Sequence, residues 1–170
     1  GLDKVYKSEA SGNNWGAISQ DFTGNLDQLK IANSNNLVIY ASRGGLLYKT
    51  IDGGATDWIP LPSPGGSINS IAIHPSNPEK IAVATTSTSK VFLSDDGGLS
   101  WLSYTFNLPD FSSLALVWDD NGEDGLYLGM DYGIFYIDNT FTEWQPYNTN
   151  IPNVIINELE INSADGKIYA

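Results

Sequence analysis

Carboxylates are the main chemical resource of this sequence. Of its 170 residues, 20 are Asp or Glu, against eight Lys and Arg, one His and no Cys. Without Cys there are no disulfides, thiolate nucleophiles or thiolate metal ligands. The one histidine, His74, precedes Pro75, where a turn role is the simpler reading. It leaves Ser-His-Asp chemistry and a transition-metal site with little to build on. Glycoside hydrolysis is the carboxylate reaction to consider, and it needs two carboxyl groups about 5–5.5 Å or about 6.5–9.5 Å apart. The candidates are Asp21, Asp110 and Asp131, each in a connection between apolar segments. No catalytic motif surrounds any of them, and a solubilising role is the simpler reading of a loop Asp.

Three other constellations have chemical meaning. Phe22, Arg43, Phe106, Phe111, Tyr132 and Tyr147 occupy the same connections. Their rings could stack on sugar faces while the neighbouring acids bond hydroxyls. Packing under their own loops, as caps on the core, is the simpler reading of Phe106, Phe111 and Tyr147. Asp119, Asn121 and Asp124 lie in the run Asp119-Asp120-Asn121-Gly122-Glu123-Asp124-Gly125, an oxygen-rich loop of the kind that binds calcium. The run lacks the alternating spacing of an EF-hand, so a solvated turn is the simpler reading. Gly44-Gly45 and Gly53-Gly54 open no helix and are turn glycines, not a phosphate loop.

The elements that position these residues are repeated. Trp15, Trp58, Trp101 and Trp144 are spaced by 43, 43 and 43 residues. Each follows an apolar strand and a polar turn. Short alternating strands precede: Leu29-Lys30-Ile31, Ile71-Ala72-Ile73, Leu114-Ala115-Leu116 and Leu159-Glu160-Ile161. A second apolar strand follows each of these after a polar turn. Labelling the strands A to D, with the Trp opening D, the period of ~40–50 residues and four strands is that of a propeller blade. We therefore expect an all-β fold, a β-propeller of four-stranded blades with repeats of about 43 residues. The repeats are expected at 1–28 (strands C and D), 29–67, 68–112, 113–153 and 154–170 (strands A and B). The terminal halves are expected either to complete one blade of a closed four-blade ring or, more simply, to belong to a larger ring with open strand edges.

The turns before the tryptophans carry a motif. Ser94-Asp95-Asp96-Gly97-Gly98-Leu99-Ser100-Trp101 fits S-x-D-x-G-x-[ST]-W at every fixed position. Thr50, Asp52, Gly54 and Trp58 fit it with one extra residue before the Trp. Ser8 to Trp15 keeps Ser, Gly and Trp without the Asp, and Ile137 to Trp144 keeps little beyond the Trp. The expected work of Ser94, Asp96, Gly98, Trp101 and their counterparts is structural: carboxylate to backbone N–H bonds, a positive φ, and a ring wedged between sheets. At these residues the chain resembles Asp-box (BNR-repeat) propellers. The segment Ile73-His74-Pro75-Ser76-Asn77-Pro78-Glu79-Lys80 looks most like their xyloglucanase and sortilin branch. The resemblance implies fold more than activity. Sialidases of this superfamily clamp a carboxylate with three arginines, and this chain has Arg43 alone, so by itself it is no conventional sialidase.

Charge narrows the partners. A net charge of −12 disfavours nucleic acid and anionic membrane surfaces. No apolar run reaches the ~20 residues of a membrane span, and no cofactor is implied. Polysaccharide and protein remain. In a propeller the D–A and B–C connections share one rim, opposite the A–B and C–D turns, and ligands of this superfamily are expected there. The sequence thus points to a binding propeller without catalysis, acting outside the cell or at its surface. A fragment of a xyloglucanase-like glycoside hydrolase and a sortilin-like peptide-binding scaffold are the alternatives. Self-association through open strand edges is a further expectation.

Overall fold

The computed structural model describes residues 2–9, 11–162 and 164–170. Sixteen strands and no helix appear among them. They form five antiparallel sheets, each built from strands consecutive in the chain. Sheet 1 is β1 (Tyr6–Ser8) with β2 (Trp15–Ala17). Sheet 2 runs β3 (Gln28–Ala32), β4 (Asn35–Arg43), β5 (Leu46–Thr50) and β6 (Ile59–Leu61). Sheet 3 runs β7 (Ile68–Ile73), β8 (Ile81–Thr85), β9 (Val91–Ser94) and β10 (Leu102–Ser103). Sheet 4 runs β11 (Ser113–Asp119), β12 (Gly125–Met130), β13 (Gly133–Ile137) and β14 (Gln145–Pro146). Sheet 5 is β15 (Glu160–Ile161) with β16 (Ile168–Tyr169). Sheets 1 and 5 remain separate, so the four-blade closure considered above is not formed.

The core lies between sheets, as the residue pattern requires. Strand β8 reads Ile81-Ala82-Val83-Ala84, apolar throughout, and all four side chains are fully buried. Successive residues of a strand point to opposite faces. Ile81 and Val83 therefore join Tyr40 and Leu47 of sheet 2. Ala82 and Ala84 join Leu126, Leu128, Met130 and Trp144 of sheet 4. Small residues on one face leave room for the large side chains opposite, including Trp118, whose indole donates to Ala72 O at 3.2 Å.

The periodic tryptophans repeat one contact. Three of the four donate the indole N–H to a carbonyl near the last strand of the preceding sheet: Trp58 to Ile18 at 2.7 Å, Trp101 to Pro62 at 3.0 Å, Trp144 to Tyr104 at 2.8 Å. A side-chain amide then takes the place of a strand partner. Gln20 accepts from Trp58 N (2.9 Å) and donates to Trp58 O (3.0 Å), and Asn107 does the same for Trp144 (2.8 and 3.1 Å). The residues 38 and 37 positions before Trp101 are Ser63 and Pro64, neither of which carries a side-chain amide for this clamp. Trp58 and Trp144 are accordingly at most 2% exposed, whereas Trp101 is only partly buried.

The S-x-D-x-G-x-[ST]-W turns are closed by their carboxylates. Asp52 Oδ1 accepts from the Thr50 hydroxyl and from Gly54 and Ala55 N–H, and Oδ2 from the Thr56 hydroxyl. Asp96 is bonded by the Ser94 and Ser100 hydroxyls and by Leu99 and Ser100 N–H. Gly54 and Gly98 have φ of 82° and 92°. A Cβ at Gly54 would run into the Ile18 carbonyl, so the glycine also admits the preceding blade. In the fourth repeat the carboxylate stands one position earlier in the chain, at Asp138, which accepts from Thr140 N–H and hydroxyl and from the Tyr136 phenol. That substitute is invisible to the motif.

Two outcomes are expected. Trp58→Ala and Trp144→Ala should each cost about 3–5 kcal/mol in urea unfolding and Trp101→Ala clearly less; equal losses at all three would show that the clamp is irrelevant. The second concerns acid. Hydroxyl bonds from Thr56 and Thr50, and from Ser100 and Ser94, lower Asp52 and Asp96 from 3.8 to about 2. A lowered carboxyl contributes stability that is present above 3.8 and lost as pH falls through about 2. The Asp52→Asn, Asp96→Asn double variant should flatten that acid limb of the stability curve, and an unchanged limb would count against these turns as its source.

Candidate functional site

The B–C hairpins and D–A connections do share one rim. Across sheets 2 and 3, Ile68 N–H donates to Gly44 O at 2.8 Å. Asn69 Nδ2 donates to Ser113 O at 2.8 Å, and the buried Ser113 hydroxyl lies 2.9 and 3.0 Å from the carbonyls of Thr85 and Lys90. These bonds tie the hairpin of sheet 3 to the first strand of sheet 4. A groove of about 480 Å³ opens beside them, with Asn69, Thr86, Lys90, Asp110, Phe111 and Asp131 in its lining.

Four of the residues expected from sequence meet here. Phe111 and Tyr132 stack on each other, centroids 5.6 Å apart and planes 23° apart, yet both stay exposed at 42% and 48%. Asp110 Oδ1 accepts from Lys90 Nζ at 2.9 Å. That lysine, largely buried along its stem, holds Asp110 below the usual carboxylate range. Asp131 Oδ2 accepts from Ser112 N–H at 3.0 Å, and Ser112 lowers its carboxyl too, through its side chain and its N–H. Lys90 is the residue that sequence reading missed. Its only signal is a lysine in a hairpin among acids.

The other expected residues lie elsewhere or do other work. Asp21 closes its own turn by accepting Thr23 N–H at 2.7 Å. Phe22 is 3% exposed and packs on Tyr48 and Trp58, so it is a core ring and not a ligand platform. Arg43 donates to Phe22 O and Thr23 Oγ1 at 3.0 and 3.1 Å, pinning the connection that leads into sheet 2. Phe106 is half exposed against Tyr104. Tyr147 lies on Tyr127 and Tyr136, on the face of sheet 4 toward sheet 5.

Nor does the structure gather the oxygen-rich turn around a cation. Asn121 Oδ1 accepts Glu123 and Gly125 N–H, while Asp124 bonds Lys80 Nζ at 2.7 Å and His74 Nε2 at 2.9 Å. Burial and neighbouring Asp120 raise Asp119, which works apart from both. Among the described residues no group of three His, Asp or Glu side chains could hold a metal ion. His74 Nδ1 faces Ser76 N–H at 3.3 Å, so Nε2 carries the proton and donates to Asp124. The histidine thus joins sheet 3 to sheet 4, a longer reach than a turn role.

No protein-family model and no curated protein matches the sequence. Solved structures do match its shape. An ancestral GH74 enzyme superposes with a TM-score of 0.68 at 24% identity, over 85% of this chain and 21% of its own. The GH74 enzyme of Niastella koreensis gives 0.65 at 16%, over 85% and 21%. YCF48, in a structure bound to D1 peptide, gives 0.65 at 20%, over 88% and 48%. The chain therefore spans about a fifth of the two enzymes and about half of YCF48. At these identities the likeness establishes the fold: sheets 1 to 5 are whole or partial blades of a β-propeller.

Arg43→Met should cost about 1 kcal/mol and speed hydrogen exchange at the Thr23 and Gly24 amides. Unchanged exchange would mean that the guanidinium does not hold that connection.

Proposed function

We propose that the chain is a stretch of an Asp-box binding propeller, working outside the cell or at its surface. It takes neutral polysaccharide on the rim between sheets 3 and 4 and leaves it intact. The observation that carries this reading is the Phe111–Tyr132 pair, stacked and still half exposed. A flat apolar platform beside hydroxyl-binding groups suits the face of a sugar ring. Asp110, Lys90 and Asn69 stand in the same groove to bond hydroxyls. A binding role without hydrolysis is supported by the acids themselves. A glycosidase needs a carboxyl with a raised pKa to protonate the leaving group, and Asp110 and Asp131 are both lowered.

Two of the similar structures are GH74 enzymes and the third is a propeller bound to a peptide. The alternatives are thus a glycoside-hydrolase fragment and a peptide-binding scaffold. Electrophoresis through gels containing embedded neutral polysaccharides, with a reducing-sugar assay in parallel, separates them. Retardation without sugar release is expected, weakened about tenfold by Phe111→Ala or Tyr132→Ala, on the order of 1.5 kcal/mol per ring. Sugar release abolished by Asp110→Asn or Asp131→Asn would replace this reading with the hydrolase. No retardation in any gel would leave the peptide scaffold.

A further inference from the structure

The junction between sheets 3 and 4 has an internal control in the junction between sheets 2 and 3. Both are closed on the rim by the same pair of bonds. Thr86 N–H donates to Ser67 O and Thr86 Oγ1 accepts from Ser67 N–H, each at 2.9 Å. In the next junction, 45 residues on, Asp131 N–H donates to Ser112 O at 3.2 Å and Asp131 Oδ2 accepts from Ser112 N–H at 3.0 Å.

The same offset sets the neighbouring residues against each other. Asp110 and Phe111 stand where the earlier junction has Gly65 and Gly66, and Tyr132 stands where it has Ser87. A Cβ on Gly66 would lie 2.6 Å from Ser87 N, so that junction closes on bare backbone. Lys90 faces Thr85 across its hairpin as Leu47 faces Ser42. Leu47 is 1% exposed, in the core with Val83. Closing such a junction therefore requires none of Lys90, Asp110, Phe111 and Tyr132.

Stability does not account for the lysine either. Lys90 is 9% exposed at a position filled elsewhere by a core leucine, and taking an ammonium out of water is costly. Its return is one bond to Asp110, whose side chain is fully open to solvent. An ion pair with so exposed a partner contributes little. Among the described residues the ammonium meets Asp110 Oδ1 alone, and Asp110 Oδ2 has no partner. Two of the three ammonium donors and one carboxylate oxygen thus remain for a ligand. Donor and acceptor are 2.9 Å apart, a spacing close to that of the hydroxyl oxygens on adjacent carbons of a pyranose.

We propose that Lys90 and Asp110 form a clamp for two adjacent hydroxyls of the sugar carried on the Phe111–Tyr132 platform. Lys90 donates to one hydroxyl oxygen and Asp110 accepts from the other hydroxyl. The groove therefore selects polysaccharides whose rings keep an unsubstituted vicinal diol. This clamp rests on the reading of the groove as a polysaccharide site, and it makes Lys90 a ligand contact at a place where packing alone favours leucine.

Electrophoresis through gels of β-glucan, galactomannan and dextran, each beside its partly O-methylated derivative, tests this. A parent polymer that retards the chain should bind about tenfold more tightly than its methylated form. Lys90→Leu should abolish that preference and weaken binding to the parent about tenfold, while leaving the urea midpoint unchanged or raised. Phe111→Ala should weaken parent and derivative alike. Equal retardation by parent and methylated polymer would overturn the clamp and leave the platform standing. So would undiminished binding by Lys90→Leu, or a fall in its urea midpoint, which would make the lysine structural. No retardation by any parent polymer would remove the clamp together with the polysaccharide reading.

Discussion

What the structure depends on is a hydrogen bond that crosses from sheet to sheet beside largely apolar side chains. The indole of each seated tryptophan fills the space between two blades and places one N–H on a carbonyl of the blade before it. Burial of the ring supplies most of the energy, but area alone would let the sheets slide. A donor and acceptor in an apolar surround permit one position, because any slip leaves both unsatisfied. The amides of Gln20 and Asn107 sharpen this by engaging the same residue's backbone from the preceding connection.

The two rims inherit different physics from that arrangement. On the A–B and C–D side, polar groups are consumed in holding the molecule together. Asp52 and Asp96 saturate their turns, Lys49 reaches Glu79 on the next sheet at 2.6 Å, and Tyr40 donates to Pro78 O. On the other side Gln20, Arg43, Asn69 and Asn107 also hold connections in place, but some of the larger rings reach the surface. Phe111 and Tyr132 are exposed in spite of stacking on each other. Structural demand on these two side chains is correspondingly small, as it commonly is in connecting segments.

The blades were legible in the sequence because their signal is periodic. Four tryptophans at equal spacing, with the same strand pattern between them, announce the sheets, and the turn motif explains how two of the turns close. The site was legible only in part, because loop residues carry type without direction. Phe22 and Phe111 look alike on paper, and one lies against Trp58 while the other faces solvent. Arg43 reads as a ligand group until its partners, Phe22 O and Thr23, are seen. Lys90 and Asp138 went unread for a related reason: each matters through a neighbour, Asp110 for one and Thr140 for the other, that no spacing rule connects.

The alternation along β8 has a consequence for assembly. Its large side chains, Ile81 and Val83, face sheet 2, and its small ones, Ala82 and Ala84, face sheet 4. Sheet 4 answers with Met130, Leu128 and Trp118, volumes that would collide with the isoleucine side. Each boundary is therefore keyed to a single neighbour, although the repeats share a plan. Chains of similar modules are prone to pair wrongly during folding. Here volume favours one order: a blade set against the wrong face would meet a clash or a void.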